Sequence, residues 1–335
     1  MLNPDQKLNP QIEGSSSSAG IDHKGTRDGF GEALLALGEQ DERIVALTGD
    51  LAESTRVLEF SKKFPDRFIE CGVAEQNMMG VAAGLALAGK VPFAASYATF
   101  SPGRNWDQLR VSVCYSNANV KVVGAHTGVS VGPDGATHQA LEDIAITRVL
   151  PNLTVVQPMD SIEAAKATVA ISHITTPAYL RLTREKTPII TTPESPFELG
   201  KANVLKEGKD VAVIGCGPIL YNAIRAAIDL EKENISVMVI NNHTIKPIDS
   251  ETIIWAAKLT GAVVTVEEHQ VTGGLGSAVA ETLSLNFPVP IEMIGMPDSF
   301  SQSGTPEELF DKYGMSINSI KQSIKEVIAR KAVNK

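Results

Sequence analysis

The chain has 335 residues, 43% of them hydrophobic and 21% charged, with a formal net charge of −9. That length exceeds one small core and points to two compact units. The acidic balance and the lack of a basic run speak against nucleic-acid binding, and the longest apolar runs, "GVAAGLALAG" and "DVAVIGCG", are too short and too broken by glycine for a membrane span.

In chain order, residues 1–23, with the serine run Ser15 to Ser18, have neither the basic region nor the apolar core of a signal peptide and read as a flexible arm. From Lys24 onward, short apolar or β-branched runs alternate with helix-like segments. "TRDGFGEALLALGEQ" and "DSIEAAKATVAISH" are the helical ones, while "RIVALTGD", "VPFAASY", "VKVVGAH", "LTVVQP" and "AYLRLT" read as strands. Such alternation predicts an α/β fold with a mostly parallel sheet covered by helices. A stretch rich in Pro, Thr and Glu sets a boundary near Pro193, after which "VAVIGCG", "ISVMVINNH", "AVVTVEEH" and "PIEMIGM" restart the pattern. The expected organisation is an arm over 1–23 and two α/β domains over 24–192 and 193–335. Cys71, Cys114 and Cys216 are far apart and odd in number, which predicts reduced thiols in a cytoplasmic protein and no metal site built on them.

Ligands of open parallel sheets collect at the carboxyl ends of the strands. The residues there are Gly49, Asp50 and Ser54 after "IVALT", Glu75 after "FIECG", Phe100 after "FAASY", His126 after "VVGA" and Arg184 after "AYLRLT". Glu75 also has an ordinary explanation, because the first turn of a helix favours negative charge. Taken together, these strand ends outline a pocket.

The runs "GVAEQNMMGVAAGLALAGKVPFAASYATF", "AHTGVSVGPDGATHQALEDIAITRVLPNLTVVQP" and "YLRLTRE" resemble the pyrimidine-binding domain of transketolase-type thiamine diphosphate enzymes. "HTIKPID" and "VEEHQVTGGLGSAV" are similar to the C-terminal domain of that family, so the resemblance spans about Lys24 to the end. It implies that Glu75 is the catalytic glutamate, whose carboxyl group bonds the cofactor's pyrimidine in a dry site. It implies that Phe100 stacks on the pyrimidine, with Gly72 and Gly80 allowing close approach and Asp50 on the cofactor side. Large single-chain members carry further aromatics soon after this phenylalanine, whereas this chain reads "SPGRNWDQ", which makes Trp106 a candidate for the missing ring.

The same resemblance assigns Arg27, Ser54, His126 and Arg184 to the phosphate of a sugar phosphate, for which paired guanidinium donors suit the geometry. Asp134 and His138 match residues near the sugar hydroxyls, with His138 and His126 as catalytic candidates beside Glu75. Tyr97, His243 and His269 read as packed or interfacial. Family members hold the diphosphate and its Mg2+ or Ca2+ on a separate domain with a Gly-Asp-Gly run followed by asparagine, and this sequence has no such run. The resemblance therefore implies the C-terminal subunit of a split transketolase, with an N-terminal partner subunit, a homodimer of this chain within a heterotetramer, and no metal ligand of its own. The beta subunit of a 2-oxo-acid dehydrogenase complex, half of a deoxyxylulose phosphate synthase-like enzyme, and a regulatory subunit without chemistry stay open as alternatives.

Overall fold

A computed structural model describes residues 1–14 and 20–333; the serine run lies outside the described residues. The first sheet has the strand order Thr244–Lys246, Thr154–Val156, Ala178–Arg181, Lys121–Ala125, Val91–Tyr97, Ile44–Thr48 and Phe68–Glu70. All of its neighbours run parallel except the first pair. Ile44–Thr48 and Lys121–Ala125 are buried at every position, as expected of parallel strands covered on both faces. The second sheet is ordered Ile291–Met296, Val263–Gln270, Val211–Gly215, Val237–Asn241 and Asn203–Lys206, with only the last strand antiparallel. The two α/β domains with mostly parallel sheets are thus those the sequence predicts.

The predicted helices form at Thr26–Gln40 and Ser161–His173. They touch at Gly29, where a Cβ would stand 1.9 Å from the Ser161 carbonyl oxygen, so no larger residue fits. No helix among the described residues is long and apolar enough to cross a membrane.

Two features depart from the sequence reading. Residues 1–14 are not a free arm: Ile12 is fully buried, the Asn3 amide donates to Leu205 O at 2.8 Å, and Arg225 donates to Ile12 O at 2.9 Å. One apolar side chain and a few backbone bonds suffice to hold this polar segment, and composition does not reveal them. The second departure is the strand Thr244–Lys246, which leaves the second half of the chain to pair with Thr154–Val156 at the edge of the first sheet. A buried arginine also joins the halves: Arg181, paired within the first half with Asp143 at 2.7 Å and 3.0 Å, donates to the carbonyl of Glu268 in the second at 2.9 Å.

Register places the site. Thr48 lies opposite both Glu70 and Ala95, Tyr97 opposite Ala125, and Gly124 opposite Arg181, so five strands end almost level. The loops leaving those ends carry the candidate residues.

Candidate active site

Glu75 opens the helix Glu75–Leu87. That helix buries Met78, Met79, Ala82 and Ala83 against the sheet and turns Gly80, Gly84 and Leu87 outward. Although Ala74 and Gln76 on either side are exposed, Glu75 is only 1% exposed. Its Oε2 accepts from Arg104 Nη1 at 2.8 Å, and Oε1 is buried without a partner among the described residues. Asn105 fixes the site from below, donating to the Glu75 carbonyl at 3.1 Å and to Ser101 Oγ at 3.0 Å. A Cβ on Gly49 would meet Gly72 O at 2.9 Å, so the loop after Ile44–Thr48 approaches this helix start closely.

Phe100 lies in an aromatic cluster. Tyr97 is nearly parallel to it at 5.8 Å, His138 stands edge-on at 5.6 Å, and the Arg104 guanidinium lies over its ring at 4.5 Å. Tyr97 also stacks on His126 at 3.8 Å, so it belongs to the site rather than to bland packing. Trp106 is engaged elsewhere: its indole N–H donates to Ile146 O at 2.7 Å and its ring packs on the main core. Asp50 is exposed, with a left-handed backbone (φ 61°) and its amide donating to Glu70 Oε1 at 2.7 Å.

His126 is buried and left-handed (φ 57°), a conformation uncommon for a residue with a side chain. The next residue, Thr127, holds the turn through its amide and hydroxyl, both on Leu182 O, at 3.2 Å and 3.0 Å. Burial first, then the charges of Arg27 and Arg184, push the His126 imidazole down to about 3, so it is neutral at physiological pH. Its Nδ1 has no partner among the described residues, and neither has Arg27 Nε. Arg27 donates to Ser54 O at 2.8 Å, which brings Ser54 beside it. Burial and the nearby Arg56 and Arg184 lower the pKa of Arg27. Arg184 donates to Val131 O and to Glu185, and lies 4.0 Å from Asp134. His138 Nδ1 is bonded to Thr137 Oγ1 at 2.8 Å.

Two further arginines join the site without a sequence signal of their own. Arg56 pairs with Asp28 at 2.6 Å and adopts a left-handed backbone (φ 66°) that brings its charge to Arg27 and His126. Arg104 follows from the local spacing only in hindsight, four residues after Phe100. His243 and His269 are packed as expected. His243 stacks on Phe197 at 4.2 Å, His269 accepts from the Ala145 amide at 3.3 Å, and burial pushes both down to about 4. Among the described residues, no three His, Cys, Asp or Glu side chains are placed to hold a metal ion.

The arrangement offers a shielded carboxylate beside an aromatic face, next to a cluster of guanidinium groups around a neutral imidazole. Such a cluster suits a flat nitrogen heterocycle on one side and an anion on the other. The shielded Glu75 carboxyl group and the Phe100 ring fit a cofactor pyrimidine. Residues 22–189 match the transketolase pyrimidine-binding domain and residues 200–320 the transketolase C-terminal domain. The chain belongs to the transketolase family, whose chemistry depends on thiamine diphosphate.

Its relatives include proteins described as transketolase subunits. The 6-deoxy-6-sulfo-D-fructose transketolase subunit of Clostridium sp. (strain MSTE9) is 42% identical, over 91% of this chain and 95% of that one. A subunit of the apulose-4-phosphate transketolase of Phocaeicola vulgatus is 39% identical, over 91% of this chain and 97% of that one. A solved structure described as a split-gene transketolase, an inactive β4 tetramer, superposes with a TM-score of 0.86 at 44% identity, over 92% of this chain and 99% of that one.

Proposed function

We propose that this chain is the C-terminal subunit of a thiamine diphosphate-dependent transketolase, moving a two-carbon ketol unit from a ketose phosphate to an aldose phosphate. The observation that carries the reading is the convergence at the carboxyl ends of one sheet's strands of the buried Glu75 carboxyl group, the Phe100 face, and the Arg27, Arg184 and His126 cluster. When bound, the cofactor supplies the nucleophilic carbon. Glu75 holds and exchanges a proton at its carboxyl group, fixed by the helix start and by Asn105. Phe100 orients the ring, and Arg27 and Arg184 bind the substrate phosphate with His126 as a neutral hydrogen-bonding group. His138, whose Nδ1 is taken by Thr137, presents Nε2 to the sugar hydroxyls together with Asp134.

The diphosphate and a divalent cation, Mg2+ or Ca2+, are assigned to an N-terminal partner chain, because this sequence lacks the Gly-Asp-Gly run that holds them in the family. The partner meets the face around Val73 and Leu87, which are 71% and 68% exposed; Val73 is two residues from Glu75, so a chain covering it adjoins the site. A heterotetramer built on a pair of these chains completes the enzyme, in the cytoplasm. The cationic cluster favours a phosphorylated sugar over the 2-oxo acid of a dehydrogenase.

Arg184→Ala tests the cradle. Loss of a charge-assisted contact of about 1.5–3 kcal/mol should raise KM for phosphorylated sugars by about ten- to a hundredfold. Unphosphorylated sugars should be barely affected; an equal loss on both would assign Arg184 a structural role instead.

A further inference from the structure

Arg104 occupies the two groups that the proposed function gives to the cofactor's pyrimidine. Its Cζ lies 4.5 Å from the Phe100 ring centre and its Nη1 lies 2.8 Å from Glu75 Oε2. The backbone dictates this placement. After the strand Val91–Tyr97 the chain coils tightly, with the Ser101 amide on Tyr97 O at 2.8 Å and the Arg104 amide on Phe100 O at 2.9 Å. Gly103 makes the coil possible, since a Cβ there would stand 2.2 Å from Thr99 O. Residue 104 therefore returns one turn after Phe100, and its side chain lies across the ring.

A guanidinium is flat, delocalised and rich in N–H donors, and it stacks readily on aromatic faces. An aminopyrimidine is also flat and carries N–H donors. A ligand that stacked on Phe100 and bonded Glu75 Oε2 would have to enter the space the guanidinium fills, and the other carboxylate oxygen is closed off from solvent. Arg104 itself has an exit, because its side chain is 47% exposed whereas that of Glu75 is 1% exposed.

We propose that Arg104 is a displaceable stand-in for the pyrimidine. It keeps Phe100 and Glu75 paired and covered while the cofactor is absent, and swings into solvent when the cofactor binds. This inference rests on the proposed roles of Glu75 and Phe100. Cofactor binding must then break one partly exposed ion pair and one cation–π contact, which together weaken affinity by about three- to thirtyfold.

The test is thiamine diphosphate binding to the assembled two-chain enzyme, followed by fluorescence quenching in the presence of Mg2+ and without sugar substrate. Arg104→Met, which keeps length and an apolar stem, should bind the cofactor about three- to thirtyfold more tightly and associate faster. Arg104→Lys, which keeps charge but loses the flat stacking group, should fall between Arg104→Met and the parent. Unchanged or weaker binding by both variants overturns the inference, since a passive contact would leave affinity alone and a cofactor ligand would lose it. Phe100→Ala and Glu75→Gln, measured alongside, separate the two levels. If neither weakens cofactor binding, the assignment of the pyrimidine site itself fails; if both weaken it while Arg104→Met and Arg104→Lys do not tighten it, only the stand-in role of Arg104 fails.

Discussion

Glu75 stands where any acidic residue would be welcome, at the first turn of a helix, yet its carboxyl group is shielded and half unpaired rather than solvated. The two explanations predict opposite outcomes for Glu75→Gln. A helix-start charge contributes about 0.3–1 kcal/mol to stability and nothing to turnover. A proton-exchanging acid contributes about 10²- to 10⁴-fold in rate and little to folding. We expect near-parental thermal unfolding with collapsed turnover, and the reverse pattern would remove Glu75 from the chemistry. His126 gives a pH prediction. Its folded pKa is depressed to about 3, so between about 6.5 and 3 the unfolded chain takes up a proton that the folded chain does not. Stability should fall as pH drops through that window, by about 1 kcal/mol per pH unit. His126→Asn, which tolerates the left-handed backbone and does not titrate, should flatten that part of a urea-denaturation pH series. Glu75, Phe100 and His126 could be singled out because each lies one to five residues after a strand end in a motif-bearing run. Arg56 and Arg104 were not, because their reach depends on a left-handed backbone in one case and on a coil around Gly103 in the other.

At the scale of elements, the helix Glu75–Leu87 carries the clearest division between folding and assembly. A Cβ added at Gly80 or Gly84 would meet nothing within 4 Å, and both residues lie on its exposed side. Glycine inside a helix costs about 0.5–1 kcal/mol relative to alanine. Gly84→Ala should therefore raise the unfolding temperature of this chain on its own, while a bulkier Gly84→Leu should weaken association with the partner chain in sedimentation experiments. Undiminished association of Gly84→Leu would move the interface to another face. Apolar runs buried at every position, such as Ile44–Thr48, were easy to read as covered strands. Thr244–Lys246 was not, since three residues carry no usable period and their pairing is decided by a strand almost ninety residues earlier in the chain, Thr154–Val156.

At the scale of the molecule, the two α/β halves and the Pro-rich stretch between them were visible in composition, but the joints that bind them were not. Arg181 ends an ordinary-looking strand, and only the fold shows its guanidinium, held by Asp143, reaching across to the Glu268 carbonyl of the other half. Likewise Ile12, in a polar arm, shows its anchoring role only against residues it meets after folding, such as Arg225. In the proposed function this molecule is half of a catalytic unit. This is tested most directly by ketol transfer between phosphorylated sugars, with thiamine diphosphate and Mg2+ supplied, as the N-terminal subunit is titrated into a fixed amount of this chain. Neither chain alone should turn over substrate, and activity should rise to saturation at an equimolar ratio. Robust turnover by this chain without the partner, or no activity at any ratio despite stable assembly, would contradict the proposed function.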